Sequence, residues 1–296
     1  MHLRIGTRGS KLALAQAETV CRRLTEQGHE VETAIIKTQG DRVTEMPLHE
    51  IGGQGVFVRA LDDAILRQEI DAAVHSMKDI PAKRPPELPI CAILPRDSPA
   101  DFLIFEGDIS HVQSVGTSSM RRQAQLLRHD STILIKPLRG NLDTRIRRLV
   151  ASDYDAIVVA EAGIQRLGYQ VSGVRLPPGQ FVPTANQGTI AVVCRQDSAL
   201  MESFRPLDHA ATRIDMMFER AAMEEIGGGC FTPLGIFCRA GHLVLEVLSL
   251  DGTRWKRFEG DVQNEIQARE LGQRLRNEAA DLIAEAHVRV GDGDEG

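Results

Sequence analysis

Aromatic residues make up only 4% of this 296-residue chain, which argues against a surface that stacks successive nucleic-acid bases. Positive charge is in deficit: 35 Lys and Arg stand against 41 Asp and Glu, for a formal net charge of −6. Such a molecule repels nucleic acid and anionic membranes as a whole, so any anion site must be a local concentration of cations. The cysteines (Cys21, Cys91, Cys194, Cys230 and Cys238) are odd in number and widely spaced, giving neither a disulfide framework nor a metal-ligand pattern. No apolar run approaches membrane-spanning length, and Arg4, Arg8 and Lys11 stand where a secretory leader would be apolar. The expectation is a reduced, cytoplasmic protein, long enough for two or three domains with their own cores.

The first two-thirds of the chain alternates short apolar runs with amphipathic segments. Strands are expected at 3–7, 31–37, 70–76, 88–94, 114–118, 132–138 and 155–160. Helices fall between them, near 59–67, 119–129 and 141–151, and one is capped by Ser10 with Leu12, Ala15, Thr19 and Leu24 inward. Alternation of this kind predicts α/β layers with largely parallel sheets. Breaks at 95–101 and 176–188 suggest two lobes, the late strand 189–194 returning to the first sheet. Hinge-linked lobes of this kind would hold a ligand cleft between them. The expected domains are 1–95 with 188–206, then 100–184, then a small α+β domain at 208–296. That last part carries a long helix, three strands in tight turns and a closing helix over 262–288. The loop 38–55, with four glycines, exceeds ordinary connection lengths and suits a lid.

Basic residues concentrate between Gly116 and Arg148: Arg121, Arg122, Arg128, Lys136, Arg139, Arg145, Arg147 and Arg148, opposed only by Asp130 and Asp143. Thr117, Ser118 and Ser119 lie at a strand-to-helix junction, where backbone amides and hydroxyls can receive an anion. Arg121 and Arg122 follow in the first helical turn, where the helix dipole disfavours cations, so something negative should offset them. Arg139 and Arg145 flank a second junction, and a guanidinium fork suits carboxylate or phosphate. For Arg128, Arg147 and Arg148 a solvated helix face explains as much. The segment "HSMKDIP" (75–81) ends a buried strand, which would project Lys78 and Asp79 toward a ligand. Asp79 is there a candidate acid, base or cation stabiliser, although a mutual Lys–Asp pair is equally economical. Arg8, Ser10 and Gln16 sit at another strand–turn–helix junction suited to an anion. Cys230 follows three glycines; by itself it reads as a small buried hydrophobe.

In order along nearly the whole chain, "GTRGSKLALAQ", "GGQGVFV", "AVHSMKDIP", "VGTSSMRRQ", "LRGNLDTRI", "YDAIVVAEAGIQRLG", "NQGTIAV" and "GGGCFTPLG" resemble the porphobilinogen deaminase family, also called hydroxymethylbilane synthases. The resemblance implies two periplasmic-binding-protein-like lobes and a small α+β domain bearing a cysteine loop. It implies a dipyrromethane cofactor in thioether linkage to Cys230, acting as primer for four porphobilinogen units added with loss of ammonia. Hydrolysis then releases the linear tetrapyrrole. Around the cofactor carboxylates it assigns Ser76, Lys78, Ser119, Arg121, Arg122 and Arg145. Toward the incoming ring and growing chain it assigns Arg8, Ser10, Gln16, Arg139 and Arg166. Asp79 matches the catalytic aspartate, which would stabilise the cation left by departing ammonia and shuttle protons. The expected partners are porphobilinogen alone, without nucleic acid or membrane, in a monomer.

Three positions depart from the family pattern: Glu50 and Gln54 stand where loop lysines are usual, and Asn186 replaces a glycine. A non-catalytic two-lobed binder of polycarboxylates or oxyanions would use the same arginine junctions without needing Cys230 or Asp79.

Overall fold

A computed structural model of the chain describes residues 1–37, 56–227 and 231–291. The loop 38–55, with Glu50 and Gln54, and Cys230 therefore lie outside the described residues. In chain order the first elements are β1 (His2–Thr7), α1 (Lys11–Glu26), β2 (Glu30–Ile35), α2 (Val56–Leu66), β3 (Ala72–Ser76) and β4 (Ile90–Ile93). Next come β5 (Asp101–Phe105), β6 (Ser114–Gly116), α3 (Met120–His129), β7 (Leu134–Lys136), α4 (Leu142–Val150), β8 (Ala156–Ala160), α5 (Glu161–Leu167) and β9 (Gly173–Leu176). The chain continues through β10 (Ile190–Cys194), α6 (Ser198–Phe204), α7 (Ala210–Ile226), β11 (Leu234–Arg239), β12 (His242–Leu248), β13 (Trp255–Asp261), α8 (Glu265–Glu278) and α9 (Ala280–Gly291).

These elements form two compact units. The first comprises the described residues of Met1–Ser98 with Gln165–Gly168 and Gly188–Arg213; the second comprises Pro99–Ile164, Tyr169–Gln187 and the described residues from Ile214 onward. The first unit carries a five-stranded sheet in the order β2-β1-β3-β10-β4. Strands β1, β2 and β3 run parallel, whereas β10 is antiparallel to both β3 and β4. Leu3, Ile5, Val20, Leu24, Val192 and Phe204 fill the core on one face of it. Each such apolar side chain contributes roughly 1.5–3 kcal/mol by leaving water. The second unit holds a five-stranded sheet, β7-β6-β8-β5-β9, and a three-stranded antiparallel sheet, β11-β12-β13. In the larger of these, β6, β7 and β8 are parallel and β5 is antiparallel to both its neighbours. The sheets are thus mixed and not largely parallel: half the pairings in each α/β sheet are antiparallel. Strands β5 and β9 were not anticipated, because "DFLIF" is short and abuts a Pro-containing break, and β9 is an exposed edge.

Two local details set the site. Helix α1 starts where expected, with the Ser10 Oγ accepting the Ala13 N–H at 3.3 Å. Its buried face, however, is Gln16, Ala17, Val20 and Leu24, so of the four side chains expected inward only Leu24 is fully buried. A polar residue, Gln16, has turned the helix toward a partner on β3. Asn186 adopts φ +63°, the left-handed region that asparagine tolerates best after glycine, which accounts for the replacement there. Two residues on, Gly188 has φ +87°, and a Cβ would lie 2.6 Å from the Ser98 carbonyl oxygen. The closing helix expected over 262–288 is two helices that meet at Ala279, and its Ile266 is 68% exposed.

Candidate active site

In the first unit, the C-terminal ends of the parallel strands β1 and β3 lie side by side, the position where open α/β sheets receive ligands. After β3 the chain makes a single 3-10 turn, Met77–Asp79. Its ends are fixed by two backbone hydrogen bonds: the Met77 N–H donates to the Thr189 carbonyl at 2.9 Å, and the Ile80 N–H to Met77 at 3.1 Å. Met77 points into the core, and Lys78 and Asp79 are exposed. Gln16 explains the rotation of α1: its Nε2 donates to the Ser76 Oγ at 2.8 Å, and it is 2% exposed. Two residues assigned to different ligands therefore hold each other at the base of the turn.

His75, one residue earlier, faces the opposite side of the sheet and is 6% exposed. Its Nε2 has no hydrogen-bond partner among the described residues. Burial, reinforced by the charges of Arg84 and Arg8, lowers its pKa to about 3, so the ring is neutral at physiological pH. Arg84 is tied to Asp62 of α2 at 2.8 Å. Arg166 donates from Nε to Asp97 at 2.8 Å and from Nη2 to the Gly188 carbonyl at 2.7 Å, so much of its fork is engaged within the protein.

In the second unit, α3 begins at Ser119, whose Oγ accepts the Arg122 N–H at 3.4 Å. The Thr117 and Ser118 hydroxyls accept from the backbone N–H groups of Ser119 and Leu138 at 3.2 and 3.1 Å. Arg121 and Arg122, in the first turn, are only 5% and 6% exposed. Asp101, at the start of β5 and fully buried, accepts from Arg121 Nη2 and Arg122 Nη2, both at 2.7 Å. Burial alone would raise the pKa of this carboxyl; the two guanidiniums outweigh it and hold the group below the usual carboxylate range. Gln187 Nε2 adds a third bond to Asp101, at 2.9 Å. The remaining Nη groups of the arginines donate to backbone carbonyls, Arg121 to Val182 at 2.8 Å and Arg122 to Val158 at 3.0 Å. The Arg122 Nε is buried without a partner among the described residues.

Arg145, on α4, donates from Nε to the Gly140 carbonyl at 2.8 Å. Burial, and then repulsion from Arg122, lowers its pKa to about 10, which leaves it charged at neutral pH. Arg139 is exposed just before α4. Arg128, at the far end of α3, makes a 2.6 Å ion pair with the fully buried Glu246 of β12, so it is no solvated surface residue. A cluster with this surplus of guanidinium over carboxylate fits a ligand rich in carboxylates, and Arg121, Arg122, Arg145 and Ser119 are the residues that could hold it. Sequence reasoning missed Asp101, Gln187, Glu246 and His75. The demand for a negative group beside Arg121 and Arg122 was the one signal pointing toward Asp101.

Residues 3–203 match the family model for the porphobilinogen deaminase, dipyromethane cofactor binding domain, and residues 214–281 that for the porphobilinogen deaminase, C-terminal domain. A protein of Methanococcoides burtonii named probable porphobilinogen deaminase is 47% identical, with 87% of each chain covered. A protein of Methanosarcina acetivorans bearing the same name is 46% identical, covering 95% of this chain and 93% of its own. Among solved structures, the periplasmic molybdate-binding protein of Azotobacter vinelandii aligns with 69% of this chain and 91% of its own, at a TM-score of 0.39 and 14% identity.

Proposed function

The chain belongs to the porphobilinogen deaminase family, and from that premise we propose how its residues divide the work. The chain is a transferase of tetrapyrrole biosynthesis that condenses four porphobilinogen molecules head to tail, with loss of ammonia, onto a dipyrromethane cofactor and releases hydroxymethylbilane by hydrolysis. When bound, the dipyrromethane supplies a nucleophilic pyrrole carbon at which chain growth begins.

In our reading Asp79 is the catalytic group. Its carboxylate stabilises the cation left when porphobilinogen loses ammonia, and one of its oxygens carries the displaced ring proton. Lys78, Ser76, Ser119, Arg121, Arg122 and Arg145 hold cofactor carboxylates, since carboxylates withdrawn from water without partners are costly. Arg8, Ser10, Gln16, Arg139 and Arg166 address the incoming ring and the lengthening product. Cys230, outside the described residues, is the attachment point. The domains we propose are 1–95 with 188–206, 100–184, and 208–296. We further propose a cytoplasmic monomer that binds neither nucleic acid nor membrane, in keeping with the net charge of −6. No described helix is long and apolar enough to cross a membrane.

The observation that carries this reading is the family match over residues 3–203 and 214–281. The excess of guanidinium around Asp101 supports the placing of carboxylates on the second unit. Intact-mass measurement after incubation with porphobilinogen tests it: the wild-type chain should carry a covalent dipyrrole increment and release ammonia, and Cys230→Ser should carry none. An unmodified wild-type chain would refute the attachment.

A further inference from the structure

We propose that Asp101 is a positioning residue for cofactor capture: lying between Arg121 and Arg122, it fixes both guanidiniums and leaves the pair one positive charge in excess, which a ligand carboxylate balances. The inference rests on the proposed function and concerns a residue that does not itself meet the ligand.

Each guanidinium is held at two points, one Nη on Asp101 and the other on a backbone carbonyl, so its plane is set by the protein and not by the ligand. Asp101 is itself over-determined. Its Oδ1 accepts from Arg122 and Gln187, and its Oδ2 from Arg121. The same Gln187 amide reaches the Pro99 and Ala100 carbonyls at 2.9 and 3.3 Å, which anchors the carboxylate to the backbone that precedes it. Preorganised donors of this kind cost little further ordering when a ligand arrives.

Charge points the same way. Two buried cations face one buried anion, and Arg145 adds a third cation that Arg122 repels. Glu246, the other carboxylate whose charge reaches Arg121, is already bonded to Arg128 at 2.6 Å. A pair built for stability alone would be matched one to one, because an uncompensated buried charge is strongly destabilising. Donor capacity is also left over. Every Nη carries two hydrogens, of which the contacts above use one each, and the Arg122 Nε is buried without a partner among the described residues. The pair is thus fixed, cationic and still able to donate, as capture of an acetate or propionate group requires.

Asp101→Asn keeps the shape, removes the charge and sets an amide N–H₂ against a guanidinium. Wild type and variant would be produced in cells that cannot make porphobilinogen and their thermal melts recorded. Each is then mixed with porphobilinogen over a range of concentrations, and the gain of dipyrrole mass is followed by intact-mass spectrometry. The variant should load roughly tenfold more slowly at low porphobilinogen, as expected for one lost charge-assisted contact. The deficit should shrink as the concentration rises. A purely structural role would lower the melt and leave the concentration dependence of the folded fraction unmoved; an unshifted dependence in a cooperatively melting Asp101→Asn overturns the inference. Should that variant fail to fold, Gln187→Leu decides, because it removes one of the three bonds that hold Asp101 without altering either arginine or the charge count. A smaller shift in the same direction supports the inference, and none refutes it. A wild-type chain that gains no mass brings down the proposed attachment at Cys230 and this inference with it, whereas equal loading of wild type and variant removes this inference alone.

Discussion

Glu246 is fully buried on β12, and its Oε2 accepts from Arg128 Nη1 at 2.6 Å, while its Oε1 has no partner among the described residues. Arg128 carries the far end of the helix whose first turn bears Arg121 and Arg122, so this pair ties the arginine helix to the small antiparallel sheet. Arg128→Met strands a carboxylate with no exposure. Arg257 Nη1, 3.9 Å away, offsets part of that, and the expected cost is about 3 kcal/mol, at the lower end for a broken buried pair. Glu246→Gln strands an arginine whose side chain is 15% exposed and keeps its bond to the Gln180 carbonyl at 2.9 Å, so about 1–2 kcal/mol is expected. Because each single change abolishes the same contact, the double variant should cost less than the sum, with a coupling of about 2 kcal/mol. The chain has a single tryptophan, Trp255, and the Arg128 guanidinium lies 5.6 Å from its ring centroid. Urea unfolding followed by tryptophan fluorescence therefore reports from beside the pair. A coupling below about 0.5 kcal/mol would show that the two residues are neighbours without a shared energy, and Arg128 would then not be what ties α3 to β12.

Asp79→Asn should keep the covalent increment yet lower porphobilinogen consumption by roughly a hundredfold or more, and normal turnover would remove Asp79 from the mechanism. His75 predicts an acid sensitivity. Burial, with help from Arg84 and Arg8, lowers its pKa from 6.5 to about 3, so between those values the unfolded chain binds a proton that the folded chain refuses. The stability it contributes is complete above the upper value and declines as pH falls through that window, by at most about 1.4 kcal/mol per pH unit. Urea midpoints of His75→Asn should decline less steeply with acid than those of wild type; parallel slopes would contradict the assignment.

Much of the architecture was legible because period and punctuation agree with it: buried strands such as Ala72–Ser76 and Ala156–Ala160 read directly from their apolar runs. The cap at Ser10 was legible for the same local reason, since its hydroxyl accepts from an amide three residues on, whereas Ser119, read as an anion-receiving hydroxyl, also caps its helix through the Arg122 N–H. Hidden were the contacts that span long sequence distances. Asp101 meets Arg121 and Arg122 across 20 and 21 residues, and no spacing rule connects them. Gln16 turns inward against the apolar pattern of its own helix because its partner Ser76 lies 60 residues away. The sequence leaves Arg128 open between a solvated face and an anion site; its partner is Glu246 of β12, 118 residues later. The family resemblance named the candidate residues; it did not disclose which of them bond to one another.

The order of strands has a consequence for how the chain is made. In the first sheet β10 lies between β3 and β4, so β4, complete by residue 93, has no neighbour until residue 194 has left the ribosome. At typical synthesis rates of roughly 5–20 residues per second, that gap lasts several seconds or longer. The larger sheet of the second unit, β5 to β9, is fully synthesised within that interval. The nascent chain is therefore expected to close its middle sheet before its first. Meanwhile Ile90–Ile93 waits as an unpaired apolar edge, the segment most in need of shielding during birth.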